Sequence, residues 1–126
     1  MTDTRLVYFA LDATKDQQWV KIGVASSIRE RMQALRSQTV TGQTPIVLAV
    51  EAGGEAREAE LHELFRRDRV RGEWFNYSVG LQQYIAGLDH PVVFLLNHPE
   101  LIDAARGTMM RIPDLALWEP DRGIEF

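Results

Sequence analysis

Alternating apolar and polar positions near the start of the chain predict a pair of β-strands. Residues 5–11 and 19–25 are rich in Val, Ile and aromatic side chains, and a short polar segment joins them. An antiparallel hairpin is therefore expected. Period-two alternation places two apolar trios on one face, which we expect to form the core: Val7, Phe9, Leu11 and Val20, Ile22, Val24. Tyr8 and Lys21 then share the opposite face and point away from the main core.

A helical repeat follows the hairpin. Ser27 is a predicted N-cap, and Glu30, three residues later, completes a capping box. One apolar stripe recurs at i, i+4 and i+7: Ile28, Met32 and Leu35. Arg31 lies about 60° from Ile28 around the helix, on the flank of the stripe. Its stem can therefore run along the sheet while its guanidinium reaches an edge.

The next part of the chain predicts one more strand and two more helices. Residues 45–51 form the predicted third strand, and residues 55–67 form the second helix. Its inward positions are expected to be Leu61, Leu64 and Phe65. A third helix, capped by Ser78 or Asn76, carries an apolar stripe: Leu81, Tyr84, Ile85 and Leu88. The order β-β-α-β-α-α predicts the α+β class, with a small three-stranded antiparallel sheet flanked by helices.

Charge divides the chain into two parts. Residues 1–78 carry 11 basic and 11 acidic side chains, whereas residues 79–126 carry 3 and 7, so the net charge of −4 lies in the second part. We expect residues 1–88 to form one α+β domain and residues 89–126 to form an acidic C-terminal extension packed on it. Within the extension, an apolar run after Pro91 is interpreted as a strand or a buried helical turn, and residues 97–106 as a helix. A protein partner or self-association through the extension is one hypothesis.

Composition excludes several classes of protein. The chain has no cysteine, so disulfide frameworks and cysteine zinc sites are excluded, and a reducing, cytoplasmic setting is expected. The N-terminus lacks the pattern of a signal peptide, and no apolar run reaches the about 18 residues of a membrane span. Membrane partners are therefore not expected.

Basic side chains cluster in two stretches despite the negative net charge. A local basic face can bind phosphate even on an acidic protein. The candidates for nucleic-acid contact are Arg29, Arg36, Arg67, Arg69 and Arg71. The alternative for each of them is an ordinary solvated surface position.

A set of chemically capable residues fits the requirements for cleaving a phosphodiester. The candidates are Tyr8, Lys21, Arg31, His62 and Glu73. Cleavage usually needs a divalent metal on a carboxylate and a cation that stabilises charge on the phosphate. A tyrosine can take a proton from water if nearby cations lower its pKa from about 10. With one carboxylate among the candidates, at most one metal is expected to be firmly held.

Four short motifs occur in a compatible order. They are VYF at 7–9, KIG at 21–23 with Arg31 eight residues after Gly23, LHELF at 61–65 and GEWF at 72–75. This series resembles the GIY-YIG nuclease superfamily, and within it a branch of small phage and bacterial domains that read KIG. The resemblance covers about residues 6–78 and implies a GIY-YIG-like fold.

The resemblance also implies roles for the candidates. Tyr8 would orient or deprotonate the attacking water, and Lys21 would act near that nucleophile. Arg31 would contact the scissile phosphate. Glu73 would be the metal ligand, for Mg²⁺ or Mn²⁺. His62 would be a proton donor to the leaving group or a phosphate contact.

Departures from the founding motifs keep other functions open. Neither Gly-Ile-Tyr nor Tyr-Ile-Gly is intact. The main hypothesis is metal-dependent hydrolysis of phosphodiester bonds in DNA. The alternative is a catalytically weak or inactive module that binds nucleic acid or a protein partner. A virion or host-takeover component of phage origin is a third interpretation.

Purely structural roles are alternatives for several of these residues. Arg31 is either a phosphate contact or a structural partner of Glu73. Glu58 and His62, four apart on a helix, are either a ligand pair or an i,i+4 surface contact. Trp74 and Phe75 are expected to be core anchors rather than base-stacking platforms.

Overall fold

A five-stranded antiparallel sheet forms the centre of the structure, a computed structural model that describes residues 3, 5–89, 93–94 and 97–98. The strands are β1 (Leu6–Ala13), β2 (Gln18–Ala25), β3 (Ile46–Glu51), β4 (Arg69–Arg71) and β5 (Trp74–Asn76), in the order β3-β1-β2-β5-β4. The helices are α1 (Ile28–Leu35), α2 (Gly54–Leu64) and α3 (Val79–Ala86), with 3₁₀ turns at Arg36–Gln38 and Arg66–Asp68. The predicted α+β class is confirmed.

The predicted number of strands was wrong, because two strands follow α2. β4 and β5 have three residues each, which is too short for period-two alternation to stand out in the sequence. They form a hairpin, and β5 also pairs with β2. Gly72 takes the positive φ of 54° that the hairpin turn requires.

The predicted end of the second helix was also wrong. α2 ends at Leu64, and the backbone of Phe65 has φ −105° and ψ 19°. Leu64 is 64% exposed, so it does not pack inward as predicted. Leu61 is 0% exposed, and the side chain of Glu58, three residues before it on the helix, is only 13% exposed. The inward face of α2 therefore includes Glu58 rather than Leu64.

The face of the sheet that alternation predicted as core is confirmed. Val7, Phe9, Val20 and Ile22 are all 0% exposed. They pack with residues of α2, β5 and α3: Leu61, Phe75, Leu81 and Ile85. Leu11 and Val24 are partly buried against this cluster. Ser78 caps α3 by accepting a hydrogen bond from the backbone of Leu81.

The opposite face is a second core and not an open surface. Tyr8 lies opposite Gly23 and Ala10 opposite Lys21 in the β1–β2 ladder, so Tyr8 and Lys21 share a face as predicted. α1 packs its apolar stripe there and leaves Tyr8 only 1% exposed. Ser27 caps α1, since its Oγ accepts a hydrogen bond from the Glu30 backbone at 3.3 Å.

Most of the acidic extension lies outside the described residues. The apolar run after Pro91 and the helix at 97–106 therefore stay predictions, as does the domain division at residue 88. Phe94 is 5% exposed and belongs to the α1-side core. Among the described residues, no helix combines the length and apolar character needed to cross a bilayer.

Candidate active site

The β4–β5 hairpin fixes Glu73 at the edge of the sheet. Trp74 is 9% exposed and Phe75 0%, so both anchor the hairpin in the interior, as expected. The carbonyl of Glu73 accepts a hydrogen bond from the backbone of Ile22 at 3.0 Å, which joins the turn to β2. The Glu73 side chain, 40% exposed, is therefore held on a rigid backbone beside β2.

Lys21 is the nearest cation to this carboxylate in the described part of the chain. Its Nζ lies 3.1 Å from Glu73 Oε1 and 5.8 Å from the centre of the Trp74 ring. Lys21 is only 8% exposed, so it is not a solubilising surface charge. Arg31 is therefore not the structural partner of Glu73 that the sequence left open, since Glu73 is bonded to Lys21.

α2 brings a second carboxylate and an imidazole to the same place. The ligand atoms of Glu58, His62 and Glu73 all lie within 4.8 Å of one another. Because a carbonyl can only accept, His62 Nε2–H donates to Ile22 O at 2.8 Å. The His62 ring also packs on Phe75, with centroids 5.1 Å apart. Contacts on two sides therefore hold the imidazole in place.

The two carboxyl groups have opposite pKa shifts. Burial, and after it the hydrogen bond and charge of Glu73, raise the pKa of Glu58 to about 7. Burial acts to raise the pKa of Glu73 as well, but hydrogen bonds from Lys21 and Glu58 outweigh it and lower that pKa. Glu73 is thus the ionised member of the pair near neutral pH, and Glu58 carries the shared proton for part of the time. A divalent cation could take the place of that proton.

Tyr8 lies against the β2 backbone at Gly23. A Cβ at position 23 would come within 2.4 Å of the Tyr8 hydroxyl oxygen and 2.6 Å of Cζ. Only glycine leaves room for the phenol in this position. Gly23 of the KIG motif therefore lets the Tyr8 side chain pack closely against the backbone of β2.

The pKa of Tyr8 is raised, which contradicts the expectation that nearby cations lower it. Burial is the largest cause, and the charges of Glu73 and Glu58 act in the same direction. The charge of Arg31 opposes them but is outweighed. The Tyr8 hydroxyl therefore keeps its proton at neutral pH and is a hydrogen-bond donor.

Arg31 is exposed on α1 and lines a cavity of about 440 Å³. The cavity also contains Arg5, Ser26 and Ser27 at the junction of β2 and α1. Within the described residues Arg31 makes no ion pair, while its charge acts on the Tyr8 hydroxyl. The guanidinium is therefore available to an anion beside Tyr8.

The five arginines proposed to contact nucleic acid are all exposed, and they lie in two stretches of the chain. Arg69 lies opposite Phe75 and Arg71 opposite Trp74, so they stand over different faces of the sheet. Arg67 is in the 3₁₀ turn after α2. Arg36 donates from Nε to the carbonyl of Gly42 at 3.0 Å, which ties it to its own loop. Arg29 lies on α1 near Arg31.

Glu58 is the site residue that the sequence reasoning undervalued. The sequence left it as half of either a ligand pair or an i,i+4 surface contact, with the surface contact favoured, but its side chain is only 13% exposed and shares a hydrogen bond with Glu73. The signal was the helical phase, since Glu58 is three residues before the buried Leu61 and seven before Phe65. A charged residue on the inward face of a helix needs a partner or a function.

Comparison with known protein families places the described core in one of them. The family model described as the T5orf172 domain matches residues 5–88, which include β1 to α3 and every candidate described above. No curated protein and no solved structure matches the chain.

Proposed function

The chain belongs to the T5orf172 domain family, and we propose that it is a metal-dependent nuclease of the GIY-YIG type that hydrolyses phosphodiester bonds in DNA. One observation carries the proposal. Two carboxylates, a buried lysine, a buried tyrosine and an exposed arginine act on one another around one edge of the sheet, and they come from β1, β2, α1, α2 and the β4–β5 turn. Such a preorganised set matches the electrostatic demands of phosphoryl chemistry.

The residues present fit a divalent cation. Glu73 and Glu58 provide carboxylate oxygens, which Mg²⁺ and Mn²⁺ prefer, and His62 lies within the same 4.8 Å group. The pKa of Glu58 is raised first by burial and then by the neighbouring Glu73, and a cation would offset the charge of that neighbour. When bound, the metal would polarise the phosphate and offset the charge that builds on it. We assign the ligand role to Glu73, as expected from the sequence, and add Glu58.

The phosphate would lie between the carboxylates and α1. Arg31 is free of ion pairs within the described residues and would contact the non-bridging oxygens. Because the Tyr8 hydroxyl keeps its proton, Tyr8 would position the attacking water by hydrogen bonding. Lys21 would hold Glu73 in its ionised form and add positive charge beside the water.

Hydrolysis adds one water molecule across one P–O bond. The water oxygen bonds to phosphorus, its proton passes to solvent, and the bond to the departing sugar oxygen breaks as that oxygen takes up a proton. The Nε2–H of His62 is engaged with the Ile22 carbonyl, which supports a positioning role for His62. Through this bond His62 would keep the Glu58 side of the site fixed against β2.

A binding module without activity is the second candidate, and one observation favours it. Lys21 and Glu73 already satisfy each other at 3.1 Å, and Tyr8 is only 1% exposed. A site closed in this way would bind a phosphate strand through Arg31 without cleaving it. Such binding would weaken steeply with salt, as phosphate contacts do.

Cleavage assays with matched variants separate the two candidates. We expect the wild type with Mg²⁺ or Mn²⁺ to nick a supercoiled plasmid and to cut a single-stranded oligonucleotide. Glu73→Gln, Glu58→Gln and Arg31→Ala should each lower the rate by about 100-fold or more. Glu63→Gln on α2 and Gln33→Ala on α1 are the controls, since both positions are exposed and outside the site.

Metal binding provides a readout that does not depend on activity. Mn²⁺ should raise the thermal midpoint of the wild type and of Glu63→Gln, but not that of the double variant Glu58→Gln/Glu73→Gln. Inert wild type that still binds DNA in a salt-dependent manner would replace the nuclease proposal with the binding module.

A further inference from the structure

A second cavity lies on the α1 side of the sheet, next to the candidate active site. Its volume of about 290 Å³ is near the lower end, about 300 Å³, of pockets that hold small molecules. Two tryptophans, two exposed valines, a glutamine, an arginine and a buried aspartate line it: Trp19, Trp74, Val40, Val70, Gln38, Arg71 and Asp12. The proposed cleavage mechanism uses none of them.

We propose that this cavity binds an unpaired nucleobase of the DNA strand that is cut. The inference rests on the proposed function and makes it specific: the substrates are single-stranded or branched DNA rather than continuous duplex. A paired base is stacked on both faces and cannot enter a pocket unless it leaves the helix.

The walls of the cavity suit the flat face of a base. Trp19 is partly exposed and can offer its ring face, whereas Trp74, only 9% exposed, lines the cavity as a core anchor. Tryptophan rings stack on bases of any sequence, because every base has a π-face. Gln38 is exposed beside them, and its amide can both donate to and accept from the edge of a base.

Lys21 connects the cavity to the site of cleavage. Its Nζ lies 5.8 Å from the centre of the Trp74 ring and 3.1 Å from Glu73 Oε1. A nucleotide with its base on Trp19 in this cavity would therefore carry its phosphate toward Lys21 and the carboxylates. Arg71, exposed and opposite Trp74 in the β4–β5 ladder, would meet a neighbouring phosphate. This positive charge favours a nucleic-acid strand over an apolar peptide as the occupant.

The outer wall of the cavity is held in place by a buried aspartate. Asp12 is 4% exposed, and its Oδ2 accepts from the backbone of Val40 at 2.7 Å and its Oδ1 from the Thr41 hydroxyl at 2.8 Å. Val40 and Val70 stay 68% and 50% exposed at the cavity mouth. The apolar walls are therefore preformed, so little ordering opposes binding.

Tryptophan fluorescence gives a direct test. The full chain with Trp118→Phe leaves Trp19 and Trp74 as its only tryptophans. In EDTA, which prevents cleavage, a short single-stranded oligothymidylate should quench this fluorescence, and a blunt duplex should quench it much less. Added Trp19→Ala should weaken single-strand binding by about 5- to 150-fold, the range for loss of one base–aromatic stack.

Val40→Asp is a second variant that does not disturb the core, because Val40 is exposed. It should also weaken single-strand binding, whereas Val79→Ala, at a 67% exposed valine on α3, should not. Equal single-strand affinities for the wild type, Trp19→Ala and Val40→Asp, measured by anisotropy of a labelled oligonucleotide, would overturn the proposal.

The cavity and the cleavage chemistry can fail separately. If no DNA is cut but quenching and its loss in the variants persist, the cavity proposal stands and the catalytic proposal falls. If DNA is cut and Trp19→Ala cuts single strands and duplexes as the wild type does, the cavity proposal falls and the catalytic one stands.

Discussion

The two faces of the sheet use the same strands for different purposes. The face under α2 and α3 buries an apolar cluster that includes Phe9 and Ile22 at 0% exposure. The face under α1 buries polar groups as well: Tyr8 at 1%, Lys21 at 8% and Asp12 at 4% exposure. Buried polar groups contribute little to stability unless they are fully bonded. Both faces bury an apolar cluster, but part of the second is taken up by the polar site, so we expect the first face to be the main source of stability.

Truncation of the apolar face should have the largest effect on folding. Phe9→Ala removes a ring that is 0% exposed, and we expect it to lower the free energy of unfolding by about 3–5 kcal/mol. Urea denaturation checks this value, with Val79→Ala as the exposed control. A loss of less than about 1 kcal/mol would show that this face is not the main source of stability.

The second prediction tests the packing of the α1 face at its tightest point. Gly23→Ala places a Cβ 2.4 Å from the Tyr8 hydroxyl oxygen, so the phenol or the strand must move. We expect a loss of about 1–3 kcal/mol, as for other overpacked sites, together with loss of DNA cleavage.

A double-mutant cycle identifies the clash as the cause. The same Gly23→Ala change in a Tyr8→Leu background should cost less than in the wild type, because the phenol is absent. Additive losses in urea denaturation would mean that Gly23 is needed for another reason, such as strand geometry.

Patterning predicted the apolar face because all its information is local. Val7, Phe9, Val20 and Ile22 alternate with a period of two and need only to be buried. The polar content of the other face was harder to interpret, since whether Tyr8 is covered depends on where α1 crosses the sheet. The short strand β5 was missed because its partner β2 lies about fifty residues upstream, and β4 was missed with it because β4 pairs with β5.

The site was predicted in part for similar reasons. Motif resemblance named Lys21 and Glu73, and the structure places them 3.1 Å apart. It could not indicate the direction of the Tyr8 pKa, because burial opposes and outweighs the charge of Arg31. The motif resemblance also did not include Glu58. The position of Glu58 depends on which face of α2 turns inward, and the prediction that Leu64 lies on that face was wrong.

Substitution of Lys21 can separate the contribution of this side chain to stability from its contribution to cleavage. Lys21→Met keeps the apolar stem beside Trp74 and removes the charge. Its partner Glu73 is 40% exposed, so we expect stability to change by less than about 1 kcal/mol. Cleavage should fall by about 100-fold or more, because Glu73 loses the positive charge of the Lys21 ammonium group beside it.

The comparison for Lys21→Met is Phe9→Ala, for which stability and activity should fall together. Urea denaturation and oligonucleotide cleavage on the same preparations give both quantities. If Lys21→Met is as unstable as Phe9→Ala, then the lysine is part of the core, and the contrast between the faces is weaker than proposed.

The smallest expected effect is a pH dependence of stability that arises from Glu58. This residue lies on α2, which packs on the apolar face of the sheet and also contributes to the site. Its pKa is about 7 in the folded protein against an ordinary value of 4.5, so between these values the folded state holds a proton that the unfolded state has released. With metal removed by EDTA, stability should therefore fall as the pH rises through this window. The lowered pKa of Glu73 acts below the window.

Glu58→Gln should flatten the pH dependence of stability measured by urea denaturation, and Glu63→Gln should keep it. Equal slopes in the wild type and Glu58→Gln would mean that burial does not hold the proton on this carboxyl, and that α2 contributes only apolar packing.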